Sequence, residues 1–124
     1  MKYKAEVQKI IALIVKKLDD GKAEQIVKLD VRKISSMTDV MIIATGTSVR
    51  HVMALAHHLA EDLKKVKIMP LNDIHQGDGN WVVVDLGNIL VHIFTEEARA
   101  KYDLEGMWKT SKPAHTRKVP RKSA

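Results

Sequence analysis

Hydrophobic positions along this chain follow two periods. Val7, Ile10, Ile11, Ile14 and Leu18 recur three and four residues apart between charged positions, which predicts an amphipathic helix from about Tyr3 to Leu18. Asp19-Asp20-Gly21 ends it, with Gly21 suited to a left-handed cap. A second helical stripe runs through Val49, Val52, Met53, Ala56, Leu59, Ala60 and Leu63, and Ser48 stands at the N-cap spacing before it. Between the two helices, AEQIVKLDV (Ala23 to Val31) alternates imperfectly and reads as a partly solvated strand, whereas Val40 to Thr45 is a continuous apolar run and reads as a buried one. WVVVDLGNILVHIF, Trp81 to Phe94, sets two β-branched runs around Asp85-Leu86-Gly87-Asn88, the pattern of a tight β-hairpin at the heart of a sheet.

The connections sharpen this picture. Strand, turn at Gly46, helix and further strand is the order of a right-handed crossover, so the flanking strands are expected to be parallel. Ile68 to Leu71 reads as a short strand, which Pro70 confines to an edge or an end. Ile74 to Asn80 is a glycine-containing connection, and Thr95-Glu96-Glu97 supplies a cap and an acidic first turn for a short helix. The last ordered segment is expected to run through YDLEGMW, Tyr102 to Trp108. The expected fold class is α/β: a small mixed β-sheet flanked by helices, in a single domain over residues 1–108.

Composition changes the reading mainly at the C-terminus. The net charge of +6 resides in a tail, residues 109–124, whose six basic residues (Lys109, Lys112, Arg117, Lys118, Arg121 and Lys122) stand without an acid. Residues 1–108 are formally neutral. Lys, Ser, Pro and Thr without apolar periodicity predict a disordered tail, either a solubilising end or a loose, salt-sensitive tether to RNA. With 124 residues there is room for one core. The absence of cysteine excludes disulfides and thiol chemistry. No segment approaches the roughly 20 apolar residues of a membrane span, and the charged N-terminus lacks a signal-peptide core, so a cytoplasmic protein without membrane association is expected.

Candidate chemistry is sparse. Gly46-Thr47-Ser48 sits where a strand-to-helix turn can cradle phosphate, but the glycine-lysine motif of a nucleotide site is missing, and a structural turn and cap is the simpler reading. Asp73, Asp78 and Asp85 are not spaced as a metal-binding carboxylate pair. His51, His57 and His58 lie on one helix without the context of a zinc site, and His75 falls in a loop. His92, alternating with Val91 and Ile93, reads as a partly buried hydrogen-bonding or partner-contact residue rather than a general base. Trp81, Tyr102 and Trp108 have the chemistry of interface anchors. Asp85, Glu96, Glu97, Asp103 and Glu105 put acids in the same half of the chain, which suits a basic protein surface better than naked RNA.

Taken with their spacing, KLDV, RKISSMTDVMIIATGTSVRHVMALA, GNWVVVDLGNILVHIF and KYDLEGMW resemble the ribosomal silencing factor family, also called Iojap-like, over about Lys16 to Trp108. The resemblance implies a domain related in shape to nucleotidyltransferases, without retained catalytic motifs and without cofactor or metal. It implies a non-enzymatic translation repressor that binds the large ribosomal subunit through an L14-family ribosomal protein and sterically blocks subunit joining under nutrient limitation. Trp81, Asp85, His92, Tyr102, Asp103, Glu105 and Trp108 are the partner-binding residues expected on this basis. Gly46, Ser48, Gly87 and Phe94 are the structural ones. A weak rRNA contact through the basic tail and a homodimer are further expectations; a cryptic nucleotidyltransferase and an RNA-binding module are the alternative functions.

Overall fold

Every residue of β2 (Val40–Gly46) is buried, and such a strand needs partners on both edges and cover on both faces. A computed structural model, describing residues 5–33, 38–74, 79–102 and 113–116, supplies both. β1 (Glu24–Asp30) pairs antiparallel with one edge of β2 and β4 (Ile89–Thr95) pairs parallel with the other. β3 (Trp81–Asp85) pairs antiparallel with β4, and β5 (Pro113–Thr116) with β1, giving the sheet order β3-β4-β2-β1-β5. The expected parallel pair is thus β2 and β4. The expected hairpin also forms, with one difference: β4 is interior, but β3 is an edge strand whose burial alternates.

Two layers cover the sheet. α1 (Ala5–Asp20) and α2 (Val49–Lys65) place Ile11, Ile14, Leu18, Val52, Leu55, Ala56, Leu59 and Leu63 over Val40, Ile42, Ala44, Val82, Val84, Val91 and Ile93. The opposite face carries Leu29, Met41, Ile43 and Phe94 against Ala98 of the short α3 (Glu96–Tyr102), with Val27, Trp81 and Leu90 partly buried around them. Thr95 caps α3 as expected, its Oγ1 accepting from Ala98 N–H at 3.2 Å. Arg99 of α3 is 4% exposed and donates from Nη1 to the Gln25 carbonyl (2.6 Å) and the Thr45 hydroxyl (2.7 Å). Gln25 sits at a β1 irregularity with φ +50°, so the buried guanidinium braces a bulge that no local sequence pattern marks.

Two expectations change. Ile68 to Leu71 does not form a strand: Leu71 N–H makes one bond to the Asp85 carbonyl (2.7 Å), and Asn72 continues along β3 with its side chain. Asn72 Nδ2 donates to the Val83 carbonyl (2.8 Å) and its Oδ1 accepts from Asp85 N–H (2.9 Å), so a carboxamide takes the place of a neighbouring strand. In the tail, residues 113–116 are extended against β1, with Val27 opposite Thr116 and Lys28 opposite His115. Backbone pairing with an open sheet edge asks little of side-chain hydrophobicity. The rest of residues 109–124 lies outside the described residues.

The α1 to β1 turn also differs in its details. The left-handed residue is Lys22 (φ +71°) rather than Gly21. Gly21 is required for another reason, since a Cβ there would stand 2.6 Å from Leu55 Cδ2 of α2. Neighbouring substitutions should therefore have opposite signs. Lys22→Gly is expected to stabilise the protein by about 0.5–1 kcal/mol by relieving the left-handed backbone, and Gly21→Ala to destabilise it by about 1–3 kcal/mol through overpacking. Urea denaturation of both variants, read as a midpoint change at constant slope, checks the pair.

Candidate functional site

The β3–β4 register brings the aromatic and polar candidates onto one face. Trp81 stands opposite Phe94, Val83 opposite His92, and Asp85 opposite Leu90. Trp81 is partly exposed, His92 is 7% exposed and Phe94 is fully buried. Their rings pack as a cluster, with centroids 5.1 Å apart for Trp81 and Phe94, 5.8 Å for Trp81 and His92, and 6.1 Å for the nearly parallel His92 and Phe94. Phe94 belongs to the buried cluster on this face of the sheet.

One hydrogen bond fixes the chemistry of this cluster. Trp81 Nε1–H donates to His92 Nδ1 at 2.9 Å. An indole nitrogen can only donate, so Nδ1 must hold its lone pair and the neutral imidazole carries its proton on Nε2. That Nε2–H is buried and has no hydrogen-bond partner among the described residues. Burial lowers the pKa of His92 from 6.5 to about 4, and a second proton on Nδ1 would also face the indole N–H. His92 is thus neutral at physiological pH. It is too deeply placed for the direct partner contact expected of it.

The hairpin turn ties Asp85 to the backbone. Gly87 has φ +89° and donates its N–H to Asp85 Oδ1 at 2.9 Å, so the Asp85 carboxylate closes the turn. At the other end of the hairpin, Thr95 N–H donates to the Asn80 carbonyl (3.0 Å), which brings the exposed Glu96 and Glu97 beside the Trp81 end. Leu71, bonded through its N–H to the Asp85 carbonyl, is 72% exposed, and Met69 (57%) and Val66 (52%) on the segment between α2 and Leu71 are exposed as well. The sequence reading of Ile68 to Leu71 as a short strand does not anticipate these exposed side chains as part of a surface. Tyr102 is the last residue of α3; its side chain, together with Asp103, Glu105 and Trp108, lies outside the described residues.

The Gly46-Thr47-Ser48 junction is built for structure. A Cβ at Gly46 would lie 2.8 Å from Val52 Cγ2 and 3.0 Å from its backbone nitrogen. Ser48 is the N-cap of α2, its Oγ accepting from His51 N–H (3.0 Å), while Thr47 N–H donates to His51 Nδ1 (2.8 Å). Nε2 of the same ring then donates to the Gly21 carbonyl (2.8 Å). His51 is therefore a clamp between two turns, and the Thr47 and His51 amides are used within the junction itself. His57 and His58 are exposed on α2. Among the described residues no group of three or more His, Asp or Glu could hold a metal ion, and no helix is long and apolar enough to cross a membrane.

The state of His92 has a measurable consequence. The unfolded chain protonates its imidazole near 6.5, the folded one only near 4, so between these values the unfolded state binds more protons. The stabilising effect is full above about pH 6.5 and is lost as the pH falls towards 4, by at most roughly 3 kcal/mol. Urea melts between about pH 7 and 4.5 should show this slope in the parent and a flatter one in His92→Asn; equal slopes would remove His92 as its source.

Comparison with known proteins now bears on the whole chain. The family model described as "Ribosomal silencing factor during starvation" matches residues 4–124, so it extends beyond Trp108 into the tail. Ribosomal silencing factor RsfS of Haemophilus influenzae is 41% identical over 99 residues, covering 80% of this chain and 97% of that protein. The protein of the same name from Chromobacterium violaceum is 37% identical over 109 residues, covering 88% and 89%. A crystal structure of a Chromobacterium violaceum protein superposes with a TM-score of 0.78 at 35% identity, covering 92% of this chain and 93% of that one. The chain belongs to the family of ribosomal silencing factors.

Proposed function

We propose that this protein binds the large ribosomal subunit through an L14-family ribosomal protein and, by standing in the way of the small subunit, represses translation under nutrient limitation. Family membership supports the silencing role. Silencing of this kind acts by occupancy, and the chain is not an enzyme. The observation that carries the choice of surface is the β3 edge, where the partly exposed Trp81 and Asp85 share a strand and the exposed Leu71 bonds to the Asp85 carbonyl. Apolar anchors beside Asp85, Glu96 and Glu97 match a basic protein partner. A cytoplasmic location, a shape akin to nucleotidyltransferases without their catalytic motifs, self-association, and a weak rRNA contact through the basic tail complete this reading.

Co-sedimentation with separated subunits, followed by a subunit-joining assay, tests it: selective large-subunit binding with inhibited joining is expected, and binding without inhibition would overturn the mechanism. Trp81→Ala should weaken binding to the purified L14-family protein by about 30-fold or more, as loss of an aromatic anchor does. Asp85→Asn is the cleaner charge test, because its carbonyl oxygen keeps the Gly87 bond; a loss of a few-fold, larger at low salt, is expected. Parent-like affinity of both folded variants would place the interface elsewhere.

A further inference from the structure

The buried imidazole at the centre of the aromatic cluster is arranged unlike a core residue. In a core chosen for stability alone, an apolar side chain would fill the space between Val83 and Ile43, the strand neighbours of His92 on either side. Here a polar ring is buried to 7% exposure with one nitrogen bonded and the other, a donor, without a partner among the described residues. An unsatisfied buried donor destabilises the fold. What the arrangement provides is an acceptor for Trp81. The indole of an edge-strand tryptophan could otherwise turn its N–H to water and adopt more than one rotamer; the bond from Nε1 to Nδ1 holds the ring over His92 and Phe94 with its outer side exposed.

We propose that His92 is a positioning residue for partner binding, which fixes the Trp81 indole in the orientation that the docking protein meets. The proposal rests on the reading of the β3 edge as the L14-family interface, and it replaces a direct contact by His92 with an indirect one. The partner gains from a ring that is already ordered, because the entropy of fixing it is not lost again on binding. The neutral tautomer with hydrogen on Nε2 is a requirement of this role, since only a bare Nδ1 accepts from the indole. Residues that hold such a ring tend to favour function over stability, and His92 has that signature in a donor without a partner among the described residues.

The test measures affinity for the purified L14-family protein, thermal midpoint, and the NMR signal of the Trp81 indole N–H across five chains: parent, His92→Phe, His92→Asn, Trp81→Phe and the Trp81→Phe/His92→Phe double variant. His92→Phe is expected to lose about tenfold in affinity while its thermal midpoint stays equal or rises, because the ring volume is kept and the unpartnered donor is gone. The indole signal should move towards that of a solvent-exposed tryptophan. His92→Asn, whose Oδ1 takes the place of Nδ1, should stay within about threefold of the parent. In the Trp81→Phe background, which lacks the donor, adding His92→Phe should cause no further loss. Parent-like affinity of His92→Phe, or equal losses with and without the Trp81 indole, would overturn the positioning role while leaving the interface intact. If Trp81→Phe and His92→Phe both bind as the parent does, or the parent itself does not bind, the interface reading falls and the positioning role with it.

Discussion

A strand buried at all seven positions constrains everything around it. Val40–Gly46 exposes no side chain, so each face of the sheet must carry a layer and each edge of the strand a partner. The first face is met by two long amphipathic helices. The second is met by much less among the described residues: a seven-residue helix with Ala98 at its contact, and a guanidinium reaching from Arg99 to β1 and β2. The asymmetry explains where polar chemistry can reside. His92, Thr45, Thr95 and Arg99, four of the five buried polar residues among those described, belong to the thinly covered side or its rim, where neighbouring backbone and side chains can satisfy most of their hydrogen bonds.

Legibility in the sequence followed the strength of the periodic signal. The helices over Ala5–Asp20 and Val49–Lys65, the Ser48 and Thr95 caps, the buried central strand and the Gly87 turn all rest on local rules: side-chain spacing, hydroxyl position, positive φ. What escaped notice was non-local. Whether β3 lies inside or at the edge depends on β4 choosing β2 as its other partner, and no local pattern states that choice. Lys22 rather than Gly21 takes the left-handed conformation, and the space at Gly21 is set by Leu55, a residue 34 positions away. The pairing of β5 is a backbone affair that a polar, basic composition concealed.

The candidate site divides along the same line. Trp81, Asp85 and Phe94 stand out in sequence as an aromatic, an acid and a large apolar residue on a strong hairpin, and the register puts all three on one face. His92 was recognisable as a hydrogen-bonding residue, but its partner was not, because Trp81 is diagonal to it across the strand pair. Leu71 and Met69 read locally as part of a short strand, not as surface residues. They become part of a surface only through the bond from Leu71 to the Asp85 backbone and the strap that Asn72 continues. Family membership and geometry therefore contribute different things: the first gives the biological role, the second gives a sheet edge on which aromatic, apolar and acidic groups converge.

The strap itself has a chemical lifetime. Asn72 uses both ends of one carboxamide, a nitrogen against the Val83 carbonyl and an oxygen against the Asp85 amide. Hydrolysis of that exposed amide would leave a carboxylate, which can still accept from Asp85 N–H but would set a negative oxygen against the Val83 carbonyl. An ageing molecule would thus release the Val83 carbonyl on its β3 edge without any mutation. The surface next to the proposed docking strand would begin to offer unpaired backbone to other chains, so slow covalent chemistry, rather than unfolding, would limit how long this edge stays closed.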